Sequence, residues 1–357
     1  MLQVGHRGSR ALPLTIASPE CCQCGELRIR SHARPLGIAF VKSLILLSCL
    51  LVAAVSLPVP ASEGVTLVEV RKIWDAGEHN AFTDLIRFRD RWWCTFREAE
   101  DHVGGDGKIR VITSRDGKTW ESAALIGEKD VDLRDPKFSI TPDRRLMIVA
   151  GGSIYLGTKQ LKGRQPRVLF SADGRNWTQP RRVLGDGDWL WRVTWHQGKA
   201  YSAVYNHGPG AGNAPEWTLK LYRSDNGEDW ELVTPLAVPD RPNETTLRFL
   251  ASGELMALVR REAGTKNGWI GTARAPYTEW TWAETSERLG GPNFIQLPDG
   301  SLWAGSRRHG KTVTTAISRM TRDKLEPVLD LPSGGDNSYP GLVWRDGRLW
   351  VSYYSSH

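Results

Sequence analysis

The sequence predicts an all-β chain folded as a six-bladed β-propeller, and two independent internal repeats carry that prediction. In a chain of 357 residues with 16 Trp and 36 Gly, self-similarity is the first signal to seek. Three segments match: Ser114-Arg-Asp-Gly-Lys-Thr-Trp120, Ser171-Ala-Asp-Gly-Arg-Asn-Trp177 and Ser224-Asp-Asn-Gly-Glu-Asp-Trp230. In each, the Asp or Asn side chain bonds its own backbone, Gly takes a positive φ, and Trp folds back as an anchor. A worn fourth copy ends at Trp280 or Trp282.

The second repeat is a turn residue, an apolar strand and a distinctive residue seven positions on. It runs from Asp90 to Arg97, Arg144 to Gly151, Gly198 to Tyr205, Gly253 to Arg260, Gly300 to Arg307 and Gly347 to Tyr354. A short strand precedes each turn, as in Thr246–Leu250 and Asn293–Leu297. Six hairpins at intervals of roughly 50 residues mean six blades. Equivalent positions then converge on one rim, so Arg97, Arg260 and Arg307 are expected to face the axis together. Outer strands follow the repeated turns, as in Trp120–Leu125, and Thr66–Arg71 supplies the matching outer strand of blade six. No third strand for that blade is evident before His357. The expectation is a truncated sequence or an open last blade.

The chain ahead of the repeats reads differently. Residues 43–57 are an apolar run after Lys42 and before Val59-Pro60-Ala61, the layout of a signal peptide over 41–61 cleaved after Ala61. The run is short for a membrane span. Residues 1–40, rich in Arg and Cys and without a period, are expected to be a gene-start artefact or an unstructured extension. Loss of residues 1–61, with six Lys+Arg and two Asp+Glu, lowers the net charge from +7 to +3, which does not favour a nucleic-acid partner. It also leaves Cys94 alone, so no internal disulfide is expected in a secreted or periplasmic protein held by packing. After cleavage nothing calls for a membrane partner.

With these turns on six blades, the chain over 65–357 resembles the sialidase superfamily, whose repeated turns are called Asp boxes. That family carries a Glu followed about sixteen residues later by an Arg; here Asn243-Glu244 leads to Arg260. The family's third arginine precedes a last-blade Tyr by some thirty residues; here Arg307 precedes Tyr339 by 32. Its acid/base Asp lies shortly before the first Asp box, here Asp106 in Gly105-Asp106-Gly107. The resemblance implies Tyr339 as nucleophile, Glu244 as its base, and Asp106 as the acid that later activates water. It implies arginines that clamp an acidic sugar by bidentate hydrogen bonds. The departure lies in the first blade: where the family has Arg-Ile-Pro, this chain has Asn80-Ala-Phe-Thr-Asp84. Arg97 and Arg134 are the candidate substitutes.

Other signals are bland. His102 and His207 lack ligand-like spacing and read as surface histidines, so no metal and no cofactor is expected. Trp189, Trp191 and Trp195 are candidates to stack on a sugar ring. Two function classes follow. One is a secreted retaining exo-glycosidase acting on a terminal, acidic sugar. The other is a non-catalytic propeller that binds a glycan or a protein through the same arginine-rich rim.

Overall fold

The computed structural model describes residues 21–29, 65–157, 160–208 and 217–356. Among these residues every regular element is a strand, and the strands form six four-stranded antiparallel sheets. From the innermost strand outward, blade one is His79–Phe88, Arg91–Ala99, Lys108–Ser114 and Glu121–Ile126. Blade two is Asp132–Ile140, Leu146–Leu156, Gln160–Ser171 and Arg181–Arg182. Blade three is Asp188–His196, Lys199–Asn206, Thr218–Ser224 and Trp230–Pro235. Blade four is Pro242–Phe249, Leu255–Arg261, Asn267–Ala273 and Thr281–Arg288. Blade five is Asn293–Gln296, Leu302–His309, Val313–Met320 and Leu325–Leu331. The turn residue of all six predicted hairpins has a positive φ, from 58° at Asp90 to 85° at Gly300. That is the twist a tight hairpin requires.

The three Ser-x-Asp/Asn-Gly-x-x-Trp turns share one hydrogen-bond pattern. Asp173 Oδ1 accepts from the amides of Arg175 and Asn176, Ser171 Oγ accepts from the Gly174 amide, and Trp177 Nε1 donates to Gly174 O. Asp116 and Asn226 repeat it. The amides hold the Asp116 carboxyl down at about 2. Each turn also docks on the preceding blade. A Cβ on Gly174 would lie 2.3 Å from the Trp93 ring, and one on Gly117 would lie 2.7 Å from Trp350. In the worn copy Trp280 Nε1 donates to the carbonyl of Tyr277, which has φ 69°, so that copy ends at Trp280 and not Trp282. The core is built as wedges between neighbouring blades, such as Trp93, Ile109, Leu133 and Ile148 between blades one and two.

Blade six corrects the sequence reading. Its strands are Asn337–Arg345, Arg348–Ser355, Cys21–Ile29 and Val65–Trp74. Val65–Trp74 is the outer strand, as expected. The third strand is not missing: Cys21–Ile29 pairs with both neighbours, Gly25 lying opposite Val351 on one side and Val70 on the other. Residues 21–29 therefore are not a structureless extension. Cys22 and Leu27 are fully buried, and Cys24 joins Cys94 between blades six and one. Cys21, Cys24 and Cys94 are buried free thiols. The expected signal segment at 41–61 lies outside the described residues.

Five inner strands carry the same irregularity. The register slips by one residue, two inner-strand residues standing opposite one, at Phe82-Thr83, Asp135-Pro136, Trp191-Arg192, Asn243-Glu244 and Tyr339-Pro340. Such bulges re-aim side chains and free backbone groups. Phe82, Asp135 and Tyr339 take φ of 66°, 50° and 54° there. Buried polar groups fill the axis beneath them. Arg192 bonds Asp84 at 2.8 Å and Pro340 O at 3.2 Å, while Asn293 bonds Pro340 O at 2.9 Å and accepts from Arg248. Lys137, 1% exposed, donates to the carbonyls of Phe82, Thr83 and Pro136.

Candidate functional site

The bulge of blade four aims Glu244 at the bulge of blade six. Tyr339 Oη donates to Glu244 Oε1 at 2.5 Å, and both residues are buried. Arg260 Nη1 bonds Glu244 Oε2 at 2.7 Å and lies 3.4 Å from Tyr339 Oη. The amide of Gly291 also bonds Glu244 Oε2, at 2.8 Å. Gly291 has φ 60°, and a Cβ there would fall 2.6 Å from the Tyr339 ring, so only glycine fits between the tyrosine and its partner. Arg307 lies on the other side. Its guanidinium carbon is 6.0 Å from the Tyr339 ring centroid, and it is held by Asp336, Asn337 O and Tyr354 Oη. Phe82 and Trp191 close the ring around Tyr339, at 4.8 and 6.0 Å between centroids.

Charge in this cup is set by burial against a crowd of cations. Burial opposes ionisation of Glu244, but Arg260 and the hydrogen bonds from Tyr339, Arg260 and Gly291 hold its pKa below the usual carboxylate value. Burial, and next the Glu244 charge, push the Tyr339 phenol well above 10. The resting pair is therefore a carboxylate accepting from a phenol. Lys137 sits 5.5 Å from the Tyr339 ring centroid, with its pKa lowered to about 8 by burial and then by Arg192.

The predicted site residues divide. The structure brings Tyr339, Glu244, Arg260 and Arg307 together. Arg134 sits beside them, its guanidinium 5.2 Å over the Phe82 ring and one nitrogen 3.4 Å from Tyr155 Oη. Arg97 does not face the axis. It is fully buried, and its fork is spent on Asp132, Asp101 O and Gly104 O, where it anchors the loop after the second strand of blade one. The repeat position alone could not show this, because the ligand that captures Arg97 belongs to the next blade. Asp106 is exposed on that loop and has no hydrogen bond to Tyr339, Glu244 or either flanking arginine. It lines a cleft of about 770 Å³ with Glu78, Glu98, Asp101 and Lys108, and none of the tyrosine cup's residues lines that cleft. Trp189 and Trp191 are packed core, and Trp195 donates to Ser139 Oγ, so the three do not form a stacking platform. His207 stacks on Trp217 at 3.7 Å beside Arg164. His102 is half exposed but meets two other side chains, His79 and Asp336.

Asp135 escaped the sequence reading. It occupies the bulge position of blade two, is 8% exposed, and its Oδ1 is buried without a hydrogen-bond partner. Its charge is felt by both Tyr339 and Glu244. Burial raises its pKa, opposed first by Arg134 and then by Lys137. The available signal was position: Asp135 stands in its blade where Tyr339 stands in blade six, two residues before the regular pairing resumes.

Comparison with known proteins found no family model and no curated protein that matches the chain. Solved structures do match. A Dyadobacter fermentans protein of unknown function is 17% identical, with a TM-score of 0.67 over 78% of this chain and 94% of that one. An α-L-arabinanase of Penicillium chrysogenum, complexed with arabinobiose, is 15% identical, with a TM-score of 0.58 over 78% and 93%. A Trypanosoma rangeli sialidase, in complex with the inhibitor DANA, is 12% identical, with a TM-score of 0.61 over 80% of this chain and 56% of the sialidase. At these identities the likeness establishes the fold, a six-bladed propeller of the sialidase-like kind also seen in the arabinanase.

Proposed function

We propose that the chain is a retaining glycosidase acting on a terminal, acidic sugar, with Tyr339 as nucleophile and Glu244 as its base. The observation that carries this is the 2.5 Å hydrogen bond from Tyr339 Oη to Glu244, flanked by Arg260 and Arg307. A buried phenol paired with a carboxylate has little purpose in a scaffold but is what a neutral nucleophile needs. The similarity to sialidase and arabinanase folds supports a carbohydrate substrate.

For the acid/base we assign Asp135 in place of Asp106. A carboxyl whose pKa is raised by burial favours the protonated form that a general acid requires. In the first step Asp135 protonates the leaving oxygen, Tyr339 oxygen bonds the anomeric carbon, and Glu244 takes the phenol proton as the glycosidic bond breaks. In the second, Asp135 carboxylate takes a proton from water, the hydroxide displaces the tyrosine oxygen, and Glu244 returns its proton. Two inversions retain configuration. Because burial raises the phenol and Arg260 lowers Glu244, the proton moves with bond formation and not ahead of it. Arg260 and Arg307 hold the substrate carboxylate, and Arg134 is placed to reach its far side.

The second reading, a glycan-binding propeller without catalysis, draws on the first blade's lack of a clamp arginine and on the burial of Tyr339 and Glu244. The deciding experiment is an assay of the full chain against aryl α-sialosides, uronides and α-L-arabinofuranosides, with Tyr339→Phe in parallel. Turnover that the variant loses supports the enzyme. Folded protein that turns over no member, yet binds glycans, supports the binder.

A further inference from the structure

A second cluster borders the tyrosine cup. His79 opens the inner strand of blade one, His102 lies on the loop after its second strand, and Asp336 immediately precedes the inner strand of blade six. Far apart in the chain, they present three ligand atoms within 4.8 Å of one another. His79 Nε2 is 3.2 Å from His102 Nδ1, which is 2.8 Å from Asp336 Oδ2. The imidazoles meet edge on, with Phe82 packed against both. The other carboxylate oxygen of Asp336 is held by Arg307 at 2.8 Å, the outer support that fixes a ligating carboxylate.

We propose that this cluster is a divalent metal site, of the zinc class, and that it supplies the cation the first blade lacks. Two imidazoles and a carboxylate are the donor set of zinc sites that keep one position open. The site begins at His79, next to Asn80-Ala-Phe-Thr-Asp84, the stretch without an arginine. It shares Asp336 with Arg307, which already flanks Tyr339. An ion there sets a positive charge with an open position beside a guanidinium, a pair fitted to one carboxylate of an acidic sugar. The second half of this inference rests on the acidic-sugar reading; the metal site itself does not.

The test begins with the full chain stripped by chelator and titrated with Zn²⁺ alone against a chromophoric competitor. One ion per chain is expected, with affinity reduced at least about tenfold in both His102→Ala and His79→Gln. Each variant's unfolding midpoint without metal shows that it is folded. No stoichiometric binding overturns the site. Binding that survives both substitutions also overturns it, assigning the ion to other donors such as the buried Cys21–Cys24 thiols. A second titration measures glucuronate and sialic acid on Tyr339→Phe protein with and without Zn²⁺. Tighter binding with the metal, lost in His102→Ala, supports the clamp. Metal-independent binding by zinc-loaded protein overturns that half. Zinc bound at His102 in a chain that turns over no glycoside would keep the site and sink the glycosidase reading, so the two failures are distinguishable.

Discussion

At the scale of single residues, the tyrosine cup makes demands that can be measured. Tyr339→Phe removes the nucleophilic oxygen, and on the proposed mechanism turnover falls to background while the ring keeps its contacts with Phe82 and Trp191. Glu244→Gln leaves the tyrosine a partner but no base, so kcat should fall about 10²–10⁴-fold, checked by steady-state kinetics. The pH profile follows from the two carboxyls. Glu244 must be ionised to accept the phenol proton, and its lowered pKa sets the acidic limb below the usual carboxylate range. Asp135 must be protonated to release the leaving group, and its raised pKa carries the alkaline limb above that range. In Asp135→Asn the alkaline limb of kcat/KM should disappear, leaving a low plateau for poor leaving groups. An unchanged limb would return the role to another acid, Asp106 among them.

At the scale of elements, a glycine in a turn does one of two jobs, and substitution separates them. Gly300 and Gly174 both have positive φ, but a Cβ on Gly300 meets nothing within 4 Å, whereas one on Gly174 meets Trp93 at 2.3 Å. Gly300→Ala should cost only the backbone term, about 1 kcal/mol. Gly174→Ala adds an overpacked contact between blades one and two and should cost about 2–4 kcal/mol, both read from urea unfolding. The bulges form the second kind of element. Their freed carbonyls at Phe82, Thr83 and Pro136 are gathered by Lys137, so Lys137→Met leaves buried acceptors unpaired. A loss of about 1–3 kcal/mol is expected in the same measurement. Because Lys137 also underlies the Tyr339 ring, kcat should fall with it.

At the scale of the whole molecule, closure depends on a strand from the far N-terminus. Val65–Trp74 hydrogen-bonds only to Cys21–Ile29 within its sheet, so removing the latter leaves the outer strand without a partner and takes Leu27 and Cys22 from two interblade wedges. Cleavage after Ala61 would cut the covalent link to that strand. A chain beginning at Ser62 should melt about 10 °C below the full chain, corresponding to a few kcal/mol in a protein of this size; equal midpoints would show that blade six does not need the strand. Acid should also loosen the fold. Burial and Arg164 depress His207 from 6.5 to about 3. Between those values the unfolded chain binds a proton that the folded chain refuses, so the stability His207 provides above pH 6.5 drains away as the pH falls toward 3. His207→Gln should flatten that part of a stability-versus-pH curve.

The six blades were legible because hairpin chemistry is local. Asp173 bonds amides two and three residues on, and the Gly that must turn is the next residue, so seven consecutive positions carry the whole signal. The repeat spacing brought out Arg260 and Arg307, while Glu244 and Tyr339 came from the resemblance to the sialidase superfamily. What the sequence could not show is what depends on a neighbour from another blade. Arg97 and Arg260 end the same repeat, yet Asp132 draws one into the core while Glu244 holds the other at the rim. The bulges share no residue type, so Asp135 had no local mark. Cys21–Ile29 has no strand period because both its edges are paired and most of its side chains are buried, leaving no polar alternation to read. Turn chemistry thus set the number of blades by itself, while the partner across each interface decided which polar side chains are structure and which are left to act.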